Sequence, residues 1–426
     1  MKAEKGVVCL YRRTVLDNGL TVVSENVPYV RSATIGVWVR AGSRYETNAE
    51  NGISHFIEHM MFKGTERRDA RRIAEDIDAV GGQLNAFTGK ESTCYYARVL
   101  DEDIPLAVDL LADMLLHSTF DEREIEKEKK VIIEEIKMYE DSPDELVHDL
   151  FADAVLGSHP LGRSVLGDAA SVQALQRDHL IDYMQRHYTA GNMVVAAAGN
   201  VNHDELVSMV ADRFGACRQG MSPVIRQIPE PGARRVLRIK DTEQVHLCFG
   251  GLGFARGHED RFVVKVIDTA LGGGMSSRLF QELREERALV YTTYSYHAAF
   301  AETGIFAIYA GTSPEQALAV LDTVKAEVRR IAEEGVRGEE LKRAKAQLKG
   351  ELLFSLENTA NRMSRLAKAE LFNLPYLEAD ALSAKIDAVN EADTVRVASD
   401  LFGNPDSWTL AAIGPSLAVL EEKTHA

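Results

Sequence analysis

The order of predicted secondary structure occurs twice in this chain, and that duplication limits the folds available to it. In each half the order is strand, helix, glycine-rich stop, helix, strand and then long helices. Between the halves, prolines and polar residues interrupt the apolar pattern at 217–234, which is typical of a linker. We therefore predict two α/β units, 1–216 and 235–426, joined by that linker.

Hydrophobic periodicity locates the elements of the first half. Apolar and polar residues alternate in several short stretches, as in half-buried strands, and recur with helical spacing between them. The pair Gly81-Gly82 ends the second helical stretch. We predict strands at 13–16, 20–23, 33–41, 83–88, 93–99 and 193–198, and helices at 51–62, 68–80 and 122–140.

Composition excludes several classes of protein. A chain of 426 residues, 45% of them hydrophobic, is ordinary for a globular protein and too long for one compact core. The formal net charge of -16 opposes nucleic-acid binding, because phosphates require clustered lysine and arginine. No apolar stretch approaches the roughly 20 residues that span a bilayer, so we expect no membrane partner.

The cysteines and the amino terminus bear on the compartment. The four cysteines are scattered without a CxxC pair, which favours neither a disulfide framework nor a thiolate metal site. Residues 1–13 carry charges every few positions and lack the apolar run of a secretory signal. We expect the cytoplasm of a bacterium, with the mitochondrial matrix as the alternative.

The strongest chemical pattern is the segment HFIEH from His55 to His59. On a helix the two histidines lie one turn apart on the same face, and Glu58 lies between them, so all three can reach one point. A histidine pair at this spacing also occurs by chance, but here the apolar residues form a separate stripe that leaves the polar one free. That stripe consists of Ile53, Phe56, Ile57 and Met60.

A catalytic zinc needs a third protein ligand, and the helix at 122–140 offers one. Its heptad face carries Glu128 and Glu135 at positions where the pattern requires apolar side chains. The neighbouring Glu134 shares its face with lysines, where solvated ion pairs explain it. We therefore predict Glu135 as the ligand, and place Glu128, two turns away at roughly 10 Å along the helix, in support of the site.

The second half should lack this site. Aligning 260–275 with 50–65 places Lys265 opposite the first histidine of the motif, Asp268 opposite its glutamate and Thr269 opposite its second histidine. The same half contains Gly272-Gly273-Gly274, but no Lys-Ser or Lys-Thr follows, which argues against a phosphate-binding loop.

The HxxEH motif, followed by Glu128 and Glu135, resembles the pitrilysin/insulysin family of zinc metallopeptidases. The segments GGQLNAFT at 81–88, YTAGNM at 188–193 and GGGMSSRLFQELRE at 272–285 resemble its mitochondrial processing peptidase branch. The resemblance covers almost the entire chain. It implies an α+β fold of two homologous α/β units, each an antiparallel sheet covered by helices, with the second unit inactive and contributing to substrate binding.

The resemblance implies a zinc endopeptidase with one Zn²⁺ per chain, held by His55, His59 and Glu135. Glu58 would then be the catalytic general base. Imidazole and carboxylate ligands would also accept Co²⁺ or Mn²⁺.

Substrate contacts follow from the same resemblance. An extended peptide would add a strand along 83–88 and contact Asn85, Ala86 and Phe87, although without the resemblance Asn85 is better explained as a turn residue after Gly81-Gly82. Arg284 and Tyr291 match a pair that helps to hold substrate near the zinc.

Selectivity would come from Glu145 and Asp149, which match an acidic pocket that accepts arginine in the processing peptidase. A carboxylate pair on one helix face is also common as a merely solvated surface. Substrates would be extended peptides or unfolded, presequence-like segments.

Members with four units in one chain enclose substrate between two bowls, whereas this chain has two. We therefore expect a homodimer that forms a clam-shell chamber, or a heterodimer with an inactive homologue. The competing function is a peptide-binding or structural partner subunit of the same fold that has lost the chemistry. Such a subunit would have damaged ligand positions, and here all of them are present.

Overall fold

The computed structural model of the protein describes residues 11–157, 159–220 and 235–421. Residues 221–234, most of the predicted linker 217–234, lie outside the described residues, and the predicted boundaries at 216 and 235 stay a prediction. No described helix is both long enough and apolar enough to cross a membrane.

The elements follow one another along the chain in two similar series. The strands are β1 Tyr11–Val15, β2 Thr21–Asn26, β3 Ser32–Val39, β4 Gln83–Thr88, β5 Thr93–Leu100, β6 Met193–Gly199, β7 Arg235–Ile239, β8 Val245–Gly253, β9 Val290–Ala299, β10 Gly304–Thr312 and β11 Thr409–Gly414. The helices are α1 Ile53–Met60, α2 Ala70–Asp78, α3 Ile104–His117, α4 Glu122–Glu140, α5 Pro143–Leu156, α6 Ala169–Ala174, α7 Arg177–His187, α8 His203–Phe214, α9 Arg261–Gly272, α10 Ala317–Glu334, α11 Gly338–Ser355, α12 Thr359–Leu371, α13 Ala379–Asp387, α14 Glu391–Phe402 and α15 Ala418–Glu421. A π-helix at Phe280–Glu286 lies between α9 and β9.

Every strand and helix predicted for the first half is present, and β4 and α4 have the predicted bounds. Contacts group the described residues into two compact units, each built around one sheet. Unit 1 comprises Met1–Ile136, Ser164–Ile225 and Phe354–Tyr376, and unit 2 comprises Lys137–Arg163, Arg226–Leu353 and Leu377–Ala426.

The two sheets share one topology. In unit 1 the strand order is β1-β2-β6-β3-β5-β4, and in unit 2 it is β7-β11-β8-β10-β9. The order β7-β11-β8-β10-β9 in unit 2 corresponds to β2-β6-β3-β5-β4 in unit 1. The pairs β2–β6 and β7–β11 are parallel, and every other pair is antiparallel. The predicted fold class, α+β with two homologous units, is confirmed, with one parallel pair in each mainly antiparallel sheet.

Both faces of each sheet are apolar, so each sheet needs cover on both sides. In unit 1, side chains such as Val22, Val37 and Val195 pack on one face against α1, α3, α4, α7 and α8. Their sequence neighbours Val23 and Trp38 point to the other face, where they pack against α12.

Unit 2 is arranged in the same way. One face of its sheet packs against α9, α10 and α14, and the other face packs against α5. The helices α5 and α12 occupy corresponding places in the two series, and each belongs to the unit whose strands come from the other half of the sequence. The duplication is therefore accompanied by a reciprocal exchange of one helix.

The contact between α12 and the sheet of unit 1 centres on Met363, which is 1% exposed. The indole Nε1 of Trp38 lies 3.1 Å from its Sδ. Gly36 provides the space, because a Cβ there would lie 2.7 Å from Sδ and 2.8 Å from Cε of Met363.

We predict that Met363→Ala lowers the free energy of unfolding by about 2–5 kcal/mol, because it leaves a cavity between α12 and the sheet. Met138→Ala, at a methionine that is 71% exposed, is the matched control and should change it little. Gly36→Ala should also destabilise, but less in the Met363→Ala background, where the obstructing side chain is gone. Chemical denaturation measures the free energy of unfolding of the wild type and the four variants. Strictly additive losses for Gly36→Ala and Met363→Ala would contradict this packing.

Candidate metal centre

The helix α1 is held at its amino end by a buried carboxylate. Glu46 is fully buried, and its two oxygens accept hydrogen bonds from the backbone N–H groups of Gly52 (2.8 Å) and Ser54 (2.9 Å). This satisfies donors that every helix leaves unpaired in its first turn. Gly52 has φ 90° and lies against the carbonyl of Leu166, so a side chain at that position would be strained and would collide with it.

The two stripes of α1 are separated as predicted. Ile53, Phe56, Ile57 and Met60 are all buried in the core of unit 1. The opposite stripe presents His55, Glu58 and His59.

The helix α4 brings two carboxylates to the same stripe. Ile125, Ile132 and Ile136 anchor this helix in the core of unit 1. Glu128 is buried, at 4% exposure, whereas Glu135 is half-buried.

Three side chains converge on one point. Each of His55, His59 and Glu135 offers one ligand atom, and these atoms lie within 4.8 Å of one another. Within the described ranges, this is the one group of three or more such side chains that could hold a metal ion.

The spacing fits a metal ion better than hydrogen bonding. Oε2 of Glu135 lies 3.8 Å from Nε2 of His55 and 3.7 Å from Nε2 of His59. Both distances are too long for hydrogen bonds. A tetrahedral zinc with bonds of about 2.0–2.1 Å separates its ligand atoms by about 3.4 Å. Two imidazoles and one carboxylate are also a donor set that catalytic zinc accepts, with one position left for water.

Glu128 orients one of the imidazoles. Its Oε2 lies 3.0 Å from Nδ1 of His59, which places the proton on Nδ1 and leaves the lone pair of Nε2 for the metal. Its Oε1 lies 2.6 Å from Nζ of Lys63. Burial alone would raise the pKa of Glu128, but the hydrogen bonds with His59 and Lys63 lower it.

Burial keeps His55 neutral. Burial, with a smaller contribution from His59, lowers the pKa of its imidazole to about 4. An imidazole that stays neutral keeps its lone pair for a metal ion. The Nδ1 of His55 is buried and has no hydrogen-bond partner within the described part of the chain.

Glu58 is held beside the group by a strand. The Oγ1 of Thr88, the last residue of β4, donates a hydrogen bond of 2.5 Å to its Oε2. Burial raises the pKa of Glu58, and the charge of Glu135 raises it further, while Thr88 and His59 oppose the rise. The carboxyl is therefore a stronger base than an exposed glutamate.

The predicted peptide contacts lie on β4, which is an edge strand of unit 1. Asn85 is exposed, and its Oδ1 accepts a 2.8 Å hydrogen bond from the backbone N–H of Ala86. Phe87 is 41% exposed and packs edge-on against Trp38 on the opposite face from Thr88.

The remaining four predicted residues belong to unit 2. Arg284 lies on the π-helix, 4.9 Å above the ring of Phe280 and 5.8 Å above the ring of Tyr291. The structure therefore brings the predicted Arg284 and Tyr291 pair into contact. π-helical turns are frequent at functional sites.

The acidic pair lies on α5. Glu145 is exposed and Asp149, one turn later, is half-buried. The hydroxyl of Tyr139 donates a 3.1 Å hydrogen bond to the backbone carbonyl of Glu145. Burial raises the pKa of this hydroxyl, and the charges of Asp149 and Glu145 raise it further.

The residues aligned with the metal ligands in the second half lie on α9, as the sequence alignment places them. Ser295 donates a 2.5 Å hydrogen bond to Asp268, and burial raises the pKa of this carboxyl to about 6. Asp268 is thus tied to a strand hydroxyl, as Glu58 is in unit 1.

Three residues of the site were not predicted from the sequence: Glu46, Lys63 and Thr88. Each acts through a side-chain contact to another element, which periodicity does not reveal. For Thr88 a clue existed, since in an alternating strand it shares its face with the apolar Leu84 and Ala86, which pack on the core.

The sequence matches two family models. Residues 21–169 match the insulinase family of peptidases (family M16), and residues 174–348 match the M16 inactive domain. An uncharacterized zinc protease of Bacillus subtilis is 44% identical over 96% of this chain and 99% of its own length. Proteins of the same description are 44% identical in Streptomyces coelicolor (97% of this chain, 92% of the relative) and 38% identical in Rickettsia felis (94% and 97%).

Solved structures share the fold. A peptidase M16 inactive domain from Pseudomonas fluorescens superposes with a TM-score of 0.90 at 23% identity, over 95% of this chain and 98% of that one. A protease from Helicobacter pylori gives the same score and identity over 95% and 99%. With both the sequence models and the curated relatives spanning most of its length, this chain belongs to the insulinase family of peptidases, family M16.

Proposed function

We propose that this protein is a zinc-dependent endopeptidase that hydrolyses extended peptides. The observation that carries the proposal is the convergence of His55, His59 and Glu135, with Glu58 held next to them by Thr88. Relatives described as zinc proteases, over nearly the whole chain, support it.

His55, His59 and Glu135 would hold one zinc ion. Zinc supplies Lewis acidity, which activates water and polarises a carbonyl group. Glu58 takes the proton from the attacking water and returns it to the departing amine. The hydrogen bond from Thr88 fixes the Glu58 carboxylate, and its raised pKa suits it to accept a proton near neutral pH.

We predict that Glu58→Gln keeps the metal and lowers kcat/KM by about 10² to 10⁴, because it removes the base but no ligand. Glu134→Gln, at the exposed neighbour of Glu135, is the control and should retain activity. The assay is chelator-sensitive cleavage of unfolded peptides, with metal content measured in parallel.

Full activity of Glu58→Gln would refute its role as the base. Wild-type protein that holds zinc and binds peptides without cutting them would instead favour the alternative function, a non-catalytic peptide-binding or structural subunit.

The substrate would lie along the free edge of β4. In the β4–β5 hairpin, Gly89 N–H bonds to the carbonyl of Ser92 at 2.9 Å, and Ala86 pairs in register with Tyr95. Hydrogen-bonded pairs alternate along an antiparallel ladder, so the backbone groups of Leu84, Ala86 and Thr88 point away from β5. A peptide can pair with those groups, and the strand leads it to Glu58.

This mode of binding uses the main chain of the peptide, so it tolerates many sequences. The backbone N–H of Ala86 donates a hydrogen bond to the side-chain Oδ1 of Asn85, and a bound strand would replace that hydrogen bond.

We predict that Ala86→Pro raises KM by about fivefold to tenfold. Proline removes the backbone N–H that would donate a hydrogen bond to a substrate carbonyl, and such a hydrogen bond contributes about 1 kcal/mol. Proline is tolerated on an edge strand where the lost donor faces outward. The matched control is Ala86→Gly, which keeps the N–H. Peptide cleavage kinetics with an unchanged KM for Ala86→Pro would rule out strand addition at this edge.

Arginine near the scissile bond would be selected by Glu145 and Asp149, and Arg284 with Tyr291 would help to hold the peptide. The support is the position of both carboxylates one turn apart on α5, and the contact between Arg284 and the Tyr291 ring. Unfolded, presequence-like segments would then be favoured.

We predict that Glu145→Gln with Asp149→Asn reduces the preference for an arginine peptide over its alanine counterpart by about tenfold or more, since two charges that attract the guanidinium are lost. Asp144→Asn, on the same helix, removes one charge from the surface and is the control. The measurement is the ratio of kcat/KM for the two peptides. An unchanged ratio would remove the pocket from the proposal.

We also propose that two chains associate, as a homodimer or with an inactive homologue, and enclose the substrate in a clam-shell chamber. The support is the likeness to family members that carry four such units in one chain. The bacterial cytoplasm is the proposed compartment, with the mitochondrial matrix as the alternative.

A further inference from the structure

Lys63 joins α1 to α4 through a carboxylate that also holds an imidazole. It lies in the turn after α1, where its backbone N–H bonds to the carbonyl of Met60 at 3.0 Å. Its Nζ is 2.6 Å from Oε1 of Glu128, while the other oxygen of Glu128 is 3.0 Å from Nδ1 of His59. One carboxylate is thus shared between an ammonium group and a candidate zinc ligand.

The other lysine pairs of α4 differ from this one. Lys127 pairs with Glu124, and Lys129 pairs with Glu126, each within the same helix. The pair of Lys127 lies on the helix surface, where such pairs contribute little to stability. Lys63 instead crosses between two helices to a carboxylate that is only 5% exposed.

A nearly buried carboxylate needs compensation on both oxygens. With Lys63 on one oxygen and His59 on the other, the carboxylate has a single favourable rotation. Without the ammonium group, the freed oxygen would turn toward water, and the hydrogen bond that orients the His59 ring would weaken. Replacing a group that orients a metal-bound histidine commonly weakens metal binding by about 10–100-fold.

We infer that Lys63 is a positioning residue of the metal site, acting through Glu128 on His59. The inference rests on the proposed function, because it requires that His55, His59 and Glu135 hold zinc. Lys63 contacts Glu128 and not a ligand atom, so its effect is on the orientation of the His59 ring.

The test is the affinity of metal-free protein for Zn²⁺, measured by competition with a chromophoric chelator, together with the melting temperature of the metal-free form. Lys63→Met should weaken zinc binding by about 10-fold or more. Lys63→Arg, which keeps the charge, should recover most of the affinity, and Lys63→Gln, which keeps only a neutral donor, should fall between them. Lys127→Met removes an ion-paired lysine from the same region and should bind zinc as the wild type does.

A double-mutant cycle with Glu128→Gln separates the route of action. If Lys63 acts through Glu128, then Lys63→Met adds little to the loss already caused by Glu128→Gln. Equal zinc affinity in Lys63→Met and the wild type, or losses that simply add, would overturn the inference.

Two further outcomes are distinguishable from these. Wild-type protein that binds no zinc would defeat the proposed function itself, whatever the variants do. If Lys63→Met does not fold, Lys63→Gln and Lys63→Arg carry the same comparison, and equal affinities in those two variants and the wild type would again overturn the inference.

Discussion

The need to cover both faces of each sheet organises the rest of this molecule. Consecutive residues such as Val22 and Val23, or Val37 and Trp38, are buried on opposite sides of the same strands. A sheet of this kind is stable only between two apolar layers. In unit 1 the layer that carries α1 and α4 also carries the candidate metal ligands, so the demand for burial sets the positions from which the site is built.

Charge compensation sets the finer geometry. Four carboxylates contribute to the candidate metal centre: Glu46 caps the start of α1, Glu58 and Glu135 lie at the ligand cluster, and Glu128 contacts His59 from behind it. Glu46 is paired with backbone N–H groups, Glu58 with a threonine hydroxyl, and Glu128 with an ammonium group and an imidazole. Glu135 lies 3.8 Å from Nε2 of His55 and 3.7 Å from Nε2 of His59. Such partners keep buried carboxylates in place, and Glu128 also orients the ring of His59.

Periodicity in the sequence was enough to predict the elements that carry the site. The strand β4 and the helix α4 have the predicted bounds, because alternation in one and a heptad face in the other are strong local patterns. The intrusive Glu135 in an apolar face was recognisable for the same reason. By contrast, α1 is shorter than predicted, since Gly52 and the cap from Glu46 fix its first turn.

Other features depend on contacts between distant residues. An apolar stripe on α5 or α12 shows that a helix is buried, but not which sheet buries it. The roles of Lys63 and Thr88 each depend on one contact with a residue tens of positions away, and only the strand face of Thr88 gave a clue in the sequence. Which backbone groups of β4 point away from β5 also became evident only once the hydrogen-bonded register of the two strands was known.

The exchanged helices have a consequence for how such a protein could arise. If a single gene half once encoded a complete unit, its fifth helix would have covered either its own sheet or that of a twin. The reciprocal arrangement of α5 and α12 is the one expected if the two protomers of a helix-swapped dimer were joined into one continuous chain. In such a chain the second half, which has Lys265 and Thr269 opposite the two histidines, is still required, because its helix α12 covers one face of the other sheet.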